Sequence, residues 1–110
     1  VASVVEDELL FGLENFGVSK DEIEKRIQET LEMVGISDLR SRRINSLSGG
    51  QKQKVAIAAI IALRPDILVL VEPTGELDPK ASVQIFRLLK QLNEEHGMTI
   101  VIIEKKIMLL

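Results

Sequence analysis

The sequence predicts an α/β fold in which a helical segment is followed by a strand–helix–strand unit with parallel strands. Two observations support this prediction. Apolar residues recur at helical spacing through the first half of the chain, and two short, mostly apolar runs follow at Ile67–Val71 and Thr99–Ile103. The segment between the runs shows helical periodicity, and parallel strands require such a crossover, which should be right-handed. With 110 residues, the chain is expected to form one domain or less.

Two amphipathic helices are predicted at the start of the chain. Residues 3–6 fit a capping box, and the spacing predicts a helix over residues 4–15 that ends at Gly17. A second capping box at residues 19–22 begins a helix that Gly35 ends. The residues expected to face inward are Val5, Leu9, Leu10, Leu13 and Phe16 in the first helix, and Ile23, Ile27, Leu31 and Val34 in the second.

A third helix is predicted to begin at Ser48, where residues 48–51 again fit a capping box, and to end at Pro65. Asp78 is a favourable N-cap residue, and the proline that follows it suits the first position of the crossover helix. The inward residues are expected to be Val55, Ala58, Ala59, Ala62 and Leu63 in the third helix, and Val83, Phe86, Leu89 and Leu92 in the crossover helix.

Several apolar segments are expected to be buried. The unbroken apolar run Ile67–Val71 is typical of a parallel strand that is covered on both faces. The three phenylalanines, Phe11, Phe16 and Phe86, fall at core spacing and are expected to pack inside. The terminal run at residues 107–110 is expected to pack as well, in preference to contacting a membrane.

The composition excludes several classes of function. Hydrophobic residues make up 45% and charged residues 28%, which is the balance of a globular chain rather than a disordered one. A net charge of -3 disfavours nucleic-acid binding, and the absence of cysteine excludes disulfides and thiolate metal sites. The apolar runs are shorter than the roughly 20 residues that span a bilayer. The single histidine, His96, is expected to lie at a helix end, where a cation is favourable, and not to bind a metal.

The start of the third helix has the chemistry of an anion site. Gly49 and Gly50 allow a ligand to approach the backbone closely, and the free N–H groups and helix dipole favour a phosphate. Ser48 adds a hydroxyl donor. A Ser-Gly-Gly turn is also a common helix entry, so these residues by themselves leave the plain structural role open.

The residues around this turn resemble a known family. Leu47-Ser48-Gly49-Gly50-Gln51 and the following helix are similar to the signature segment of ATP-binding-cassette (ABC) ATPases, while Glu72-Pro73-Thr74 and Leu77-Asp78-Pro79 look like their Walker B segment and D-loop. Residues 4–15 resemble the start of the helical subdomain of cobalt, nickel and vitamin energy-coupling-factor ATPases. The resemblance implies a partial P-loop NTPase fold, with the helical subdomain at residues 1–46 and part of the ATPase core at residues 47–110.

The resemblance also implies a function for particular residues. In the family two cassettes face each other, and each signature, here Ser48, Gly49, Gly50 and Gln51, closes over ATP held by the phosphate loop of the other. Glu72 would be the catalytic base that polarises water, and Asp78 would belong to the D-loop. The implied cofactors are ATP and magnesium in the parent assembly. The implied partners are a second ATPase subunit and transmembrane transporter subunits, at the cytoplasmic face of the membrane.

Three positions depart from the family pattern. Val71 replaces the aspartate that holds magnesium, Lys105 replaces the switch histidine, and Glu76 stands where a small residue is usual. The phosphate loop and the glutamine loop would lie before Val1 in the family. We therefore expect no bound nucleotide or metal, and no ATP hydrolysis, for the isolated chain.

Three interpretations follow. The chain can be part of an active transporter ATPase that supplies its signature to a facing subunit. It can belong to a degenerate cassette that pairs with an intact one, because the magnesium and switch positions are altered while the signature is whole. It can also be a non-enzymatic interaction or folding unit, whose uncovered strand edges lead the isolated chain to self-associate.

Overall fold

The computed structural model describes residues 3–105. Its helices and strands are α1 (Val5–Asn15), α2 (Lys20–Val34), α3 (Gly49–Ile61), β1 (Ile67–Val71), α4 (Pro79–His96) and β2 (Thr99–Ile103), with short 3-10 turns at Ser37–Leu39 and Ile44–Ser46. They divide into two compact units, one up to Pro65 and one beginning at Asp66. The predicted α/β order of elements is confirmed. The apolar run at residues 107–110 lies outside the described residues.

The first unit is a three-helix cluster in which α1, α2 and α3 all contact one another. The inward stripe predicted for α2 is confirmed, and Gly35, at a φ of 77°, ends that helix in the left-handed conformation that glycine adopts without strain. The predicted boundary between residues 46 and 47 groups α3 with the strands, whereas in the structure α3 packs with α1 and α2. The core residues of the three helices include Val5, Leu9 and Leu13; Ile23, Ile27 and Leu31; and Val55, Ala58 and Ile61.

The beginnings of α1 and α2 differ in detail from the capping predictions. Ser3 does not cap α1, because its hydroxyl donates to the Glu8 carboxylate (3.2 Å) and the helix begins one residue later, with Val4 as the N-cap. The Asp7 carboxylate accepts the Val4 backbone N–H at 3.2 Å. Ser19 is the N-cap of α2 as predicted, but its side chain accepts no capping hydrogen bond.

The second unit contains a two-stranded parallel sheet and the crossover helix. β1 and β2 pair in register from Ile67 opposite Thr99 to Val71 opposite Ile103, and α4 contacts β2. The buried residues of the strands and helix in this unit are Leu68 and Leu70 from β1, and Ile85, Leu88, Leu89 and Leu92 from α4.

One face of this sheet is uncovered, and the prediction that β1 is covered on both faces is wrong for the described residues. Residues of β1 alternate between buried and exposed, so Ile67, Val69 and Val71 are exposed together. Val101 and Ile103 of β2 are exposed as well. An all-apolar strand predicts two covering layers, but between residues 66 and 105 α4 is the single helix of the second unit.

The expectation that all three phenylalanines are buried is also wrong. Phe11 and Phe16 are both 70% exposed, because the core stripe of α1 is completed by residues spaced four apart, Val5, Leu9 and Leu13, which leaves Phe11 on another face. In α4 the buried stripe falls on Ile85 and Leu88 instead of Val83 and Phe86, which are exposed.

Residues 3–105 contain no helix long and apolar enough to cross a membrane.

Candidate functional site

The start of α3 has the predicted capping box. Ser48 is the N-cap in extended conformation, and its Oγ accepts the backbone N–H of Gln51 at 3.1 Å. In return the Gln51 side-chain Oε1 accepts the backbone N–H of Ser48 at 3.0 Å. The neighbouring Leu47 is buried and fixes the chain to the core of the first unit. These contacts hold the beginning of the helix in a single geometry.

The capping box leaves two backbone donors open. The first N–H groups of a helix lack partners within it, and the first bond of the α-helical pattern here runs from Lys52 N–H to the Ser48 carbonyl at 2.9 Å. Among the described contacts, the N–H groups of Gly49 and Gly50 have no acceptor. The Ser48 hydroxyl, which accepts from Gln51, keeps its own proton to donate. This exposed end of a 13-residue helix therefore offers three donors and a favourable dipole to an anion.

Glu72 lies directly after β1 and is held in an unusual conformation. Its φ is 53°, which is uncommon for a residue other than glycine. Its backbone N–H donates to the Ile103 carbonyl at 2.7 Å, and its Oε1 accepts the backbone N–H of Lys105 at 2.7 Å. Within the described residues Oε2 accepts no hydrogen bond. One carboxylate oxygen is therefore anchored, while the other has no hydrogen-bond partner among the described residues.

Glu104 is a residue of this site that the sequence analysis missed. Its Oε1 accepts both the backbone N–H of Thr74 (3.3 Å) and the Thr74 hydroxyl (2.7 Å). The signal in the sequence was a carboxylate directly after an apolar parallel strand, since ligands and functional groups gather at the carboxyl ends of such strands. Glu72 and Glu104 thus tie together the loops that follow β1 and β2.

The other predicted site residues have separate positions. Asp78 is the N-cap of α4, where its Oδ1 accepts the Ala81 N–H at 2.8 Å. The structure brings the Glu72 carboxylate to the backbone of Lys105, and Lys105 and Glu76 are both exposed residues. His96 lies in the last turn of α4 and is exposed.

The described residues do not fit a magnesium ion at the position that the resemblance implies. Val71 is 67% exposed at the end of β1 and offers no oxygen ligand, and it lies opposite another aliphatic residue, Ile103. Residues 3–105 contain no group of three or more acidic, histidine or cysteine side chains placed to hold a metal.

A surface cavity of about 370 Å³ lies away from these residues, in the first unit between α1 and α2. Its wall includes Arg40, which donates to Glu6 at 2.7 Å and to Glu24 at 2.6 Å. The hydrogen bond from Arg40 holds the pKa of the Glu24 carboxyl below its usual range, and the same carboxylates raise the pKa of Arg40. The cavity contains none of the predicted site residues.

Comparisons with known proteins find a matching family and similar sequences for this chain. The family model described as ABC transporter matches residues 1–75. Two similar proteins are the energy-coupling factor transporter ATP-binding proteins EcfA1 of Symbiobacterium thermophilum, 50% identical over 92% of this chain, and of Clostridium novyi, 44% identical over 94%. The chain spans 35% and 37% of their respective lengths, which is about a third of each.

A similar solved structure is CbiO1 of Clostridium perfringens, described as part of the ABC transporter complex CbiONQ. It is 37% identical, with a TM-score of 0.87, and the match covers 96% of this chain and 42% of that one. The predicted partial ATPase fold is confirmed by this likeness. The chain therefore belongs to the ABC transporter family, as the resemblance of its signature segment predicted.

Proposed function

We propose that the chain is part of an ATP-hydrolysing subunit that powers an energy-coupling-factor-like membrane transporter, and that it contributes its signature to ATP held by a facing subunit. The observation behind this proposal is the pair of open N–H donors at Gly49 and Gly50. Family membership supports ATP as the ligand, and the names of the EcfA1 relatives support the type of transporter.

The α3 start suits a phosphate because its donors are already in place. Donors that need no rearrangement stabilise charge more effectively than flexible ones. The Ser48–Gln51 bonds fix the helix start, so the Gly49 and Gly50 N–H groups and the Ser48 hydroxyl can meet phosphate oxygens together. In the assembled protein ATP would supply the phosphoryl group, and this end of α3 would bind and orient it.

The isolated chain is proposed not to hydrolyse ATP. A phosphate loop cradles the β- and γ-phosphates with backbone donors and a lysine. No Gly-rich run ending in Lys-Ser or Lys-Thr occurs in the 110 residues. We therefore expect the purified chain to release no more phosphate from ATP than a buffer control does.

Glu72 is the residue proposed to act as the general base. Anchoring of Oε1 by the Lys105 N–H orients the carboxylate, and Oε2 remains open to accept a proton from water. Asp78 and Lys105 are proposed to lie at the dimer interface and near the γ-phosphate, respectively, as the family pattern implies. No step is assigned to magnesium on this chain, because Val71 provides no ligand.

A second candidate function is that of a degenerate cassette paired with an intact one. The exposed, apolar Val71 favours it, because a site without an oxygen ligand at this position would bind magnesium poorly while its signature could still serve a partner. In both proposals the partners are a second ATPase subunit and transmembrane subunits, and the location is the cytoplasmic face of the membrane.

The test is ATP-dependent binding to an intact energy-coupling-factor cassette, measured by sedimentation velocity with a non-hydrolysable ATP analogue. We expect a complex that requires the analogue. Gly50→Glu should weaken the complex more than Gly50→Gln, whose side chain has the same shape as glutamate but no charge, because a carboxylate repels phosphate. A carboxylate in the first turn of a helix is itself favourable, so the weaker binding would not come from loss of the helix. A complex that forms equally without the analogue, or equally with both variants, would contradict the proposal.

A further inference from the structure

The loops after β1 and β2 are joined by a reciprocal pair of carboxylate contacts. The Glu72 carboxylate, after β1, accepts the backbone N–H of Lys105, after β2, at 2.7 Å. The Glu104 carboxylate, after β2, accepts the backbone N–H and the hydroxyl of Thr74, after β1. Each loop therefore supplies one carboxylate acceptor and one backbone donor to the other.

The two contacts are mechanically linked. Residues 72–75 form a turn that is closed by the Gly75 N–H and the Glu72 carbonyl at 3.1 Å, so Thr74 cannot move far without moving Glu72. On the other side Glu104 and Lys105 are consecutive. Releasing Thr74 from Glu104 therefore removes a restraint from both loops that form the contact between Glu72 and Lys105.

Glu72 needs such support because its backbone is strained. A non-glycine residue with a φ of 53° persists only where the surrounding contacts determine its conformation. Two of those contacts are the hydrogen bonds from Glu72 to the Ile103 carbonyl and from Lys105 to Glu72. Both reach the end of β2, which Glu104 attaches to the Thr74 loop.

We propose that Glu104 is a positioning residue for Glu72: by holding Thr74, it keeps Glu72 Oε1 on the Lys105 N–H and leaves Oε2 directed to accept a proton. This inference rests on the proposed role of Glu72 as a general base. Glu104 itself is not placed in contact with ATP or water. Its contribution is to the orientation of a neighbouring carboxylate.

The test uses amide hydrogen exchange, measured by NMR on the complete 110-residue chain without nucleotide. Glu104→Ala should speed exchange at the Lys105 amide about tenfold more than exchange at the Leu70 amide within β1, because the hydrogen bond from Lys105 to the charged Glu72 carboxylate is lost locally. Glu104→Gln, which keeps an acceptor oxygen, should restore most of the protection. Equal acceleration at Lys105 and Leu70 would show general destabilisation and overturn the proposal.

A double-mutant cycle separates positioning of Glu72 from a merely structural tie. Glu72→Ala, which removes the acceptor of the Lys105 N–H, should speed exchange at Lys105 in the wild-type background and have little further effect in Glu104→Ala, where Glu72 is already released. The same factor in both backgrounds would overturn the proposal. Because no nucleotide or partner is present, this outcome is independent of the binding test of the proposed function.

Discussion

Replacement of Ser48 by alanine tests the physical basis of the α3 start. The substitution removes the Oγ that accepts the Gln51 N–H at 3.1 Å, while the reverse bond from the Ser48 N–H to Gln51 can remain. Loss of a serine N-cap costs about 1 kcal/mol, within a range of about 0.5–2 kcal/mol. Because Ser48 is exposed, water can partly replace the lost acceptor, so a value near 1 kcal/mol is expected.

Urea unfolding followed by far-UV circular dichroism measures this change. With a slope of about 1 kcal/mol per molar urea for a small unit, Ser48→Ala should lower the midpoint by about 1 M. Ser48→Asn, which keeps a capping acceptor, should leave the midpoint close to wild type. Ser19→Ala is a matched control, because Ser19 is an N-cap whose side chain makes no capping bond, and it should cause a smaller shift. An unchanged midpoint for Ser48→Ala, or equal shifts for all three variants, would refute the reasoning.

Three further predictions concern the helices, the ion pair and the sheet. Leu9 is 1% exposed, so Leu9→Ala should lower the free energy of unfolding, measured in urea, by about 2–5 kcal/mol. Phe11→Ala, at an exposed side chain, should change it by less than about 0.5 kcal/mol. The reverse order would contradict the assigned core. Arg40 lowers the pKa of Glu24, so their interaction stabilises the fold at pH values above the unfolded-state pKa of the carboxyl, and this stabilisation is lost as the pH falls through the folded-state pKa. Arg40→Gln should therefore destabilise the chain more at pH 7 than at pH 3. A destabilisation that does not depend on pH would count against the ion pair. Because one sheet face is uncovered, the chain should self-associate, and light scattering should give a mass above that of one chain. Val69→Lys, on this face, should reduce the mass to that of one chain. A wild-type chain that is monomeric at all concentrations would exclude this face as an interface.

The sequence was most informative where one local interaction determines the structure. Gly35 predicted the end of α2 because a left-handed residue there favours glycine, and Ser48 with Gln51 predicted the start of α3 because both capping partners are encoded within four residues. The pairing of β1 with β2 followed from their apolar runs and the helix between them.

The sequence was less informative where tertiary context decides. Phe11 lies near apolar residues of α1, but its exposure depends on which face α2 and α3 cover. The sequence of β1 predicts a strand that is covered on both faces, while the described part of the second unit contains one helix, α4. The contact between Glu104 and Thr74 joins residues thirty positions apart, and only the parallel register of the strands brings them together.

Phosphate release in a complementation assay tests the central claim most directly. An energy-coupling-factor cassette with an intact phosphate loop but a disabled signature should hydrolyse ATP slowly, because neither of its copies can complete the site of the other. Addition of this chain should raise phosphate release in proportion to complex formed, and Gly50→Glu should abolish the increase while Gly50→Gln retains part of it. No increase over the cassette alone, or the same increase with Gly50→Glu, would contradict the claim that residues 48–51 complete the ATP site of another subunit.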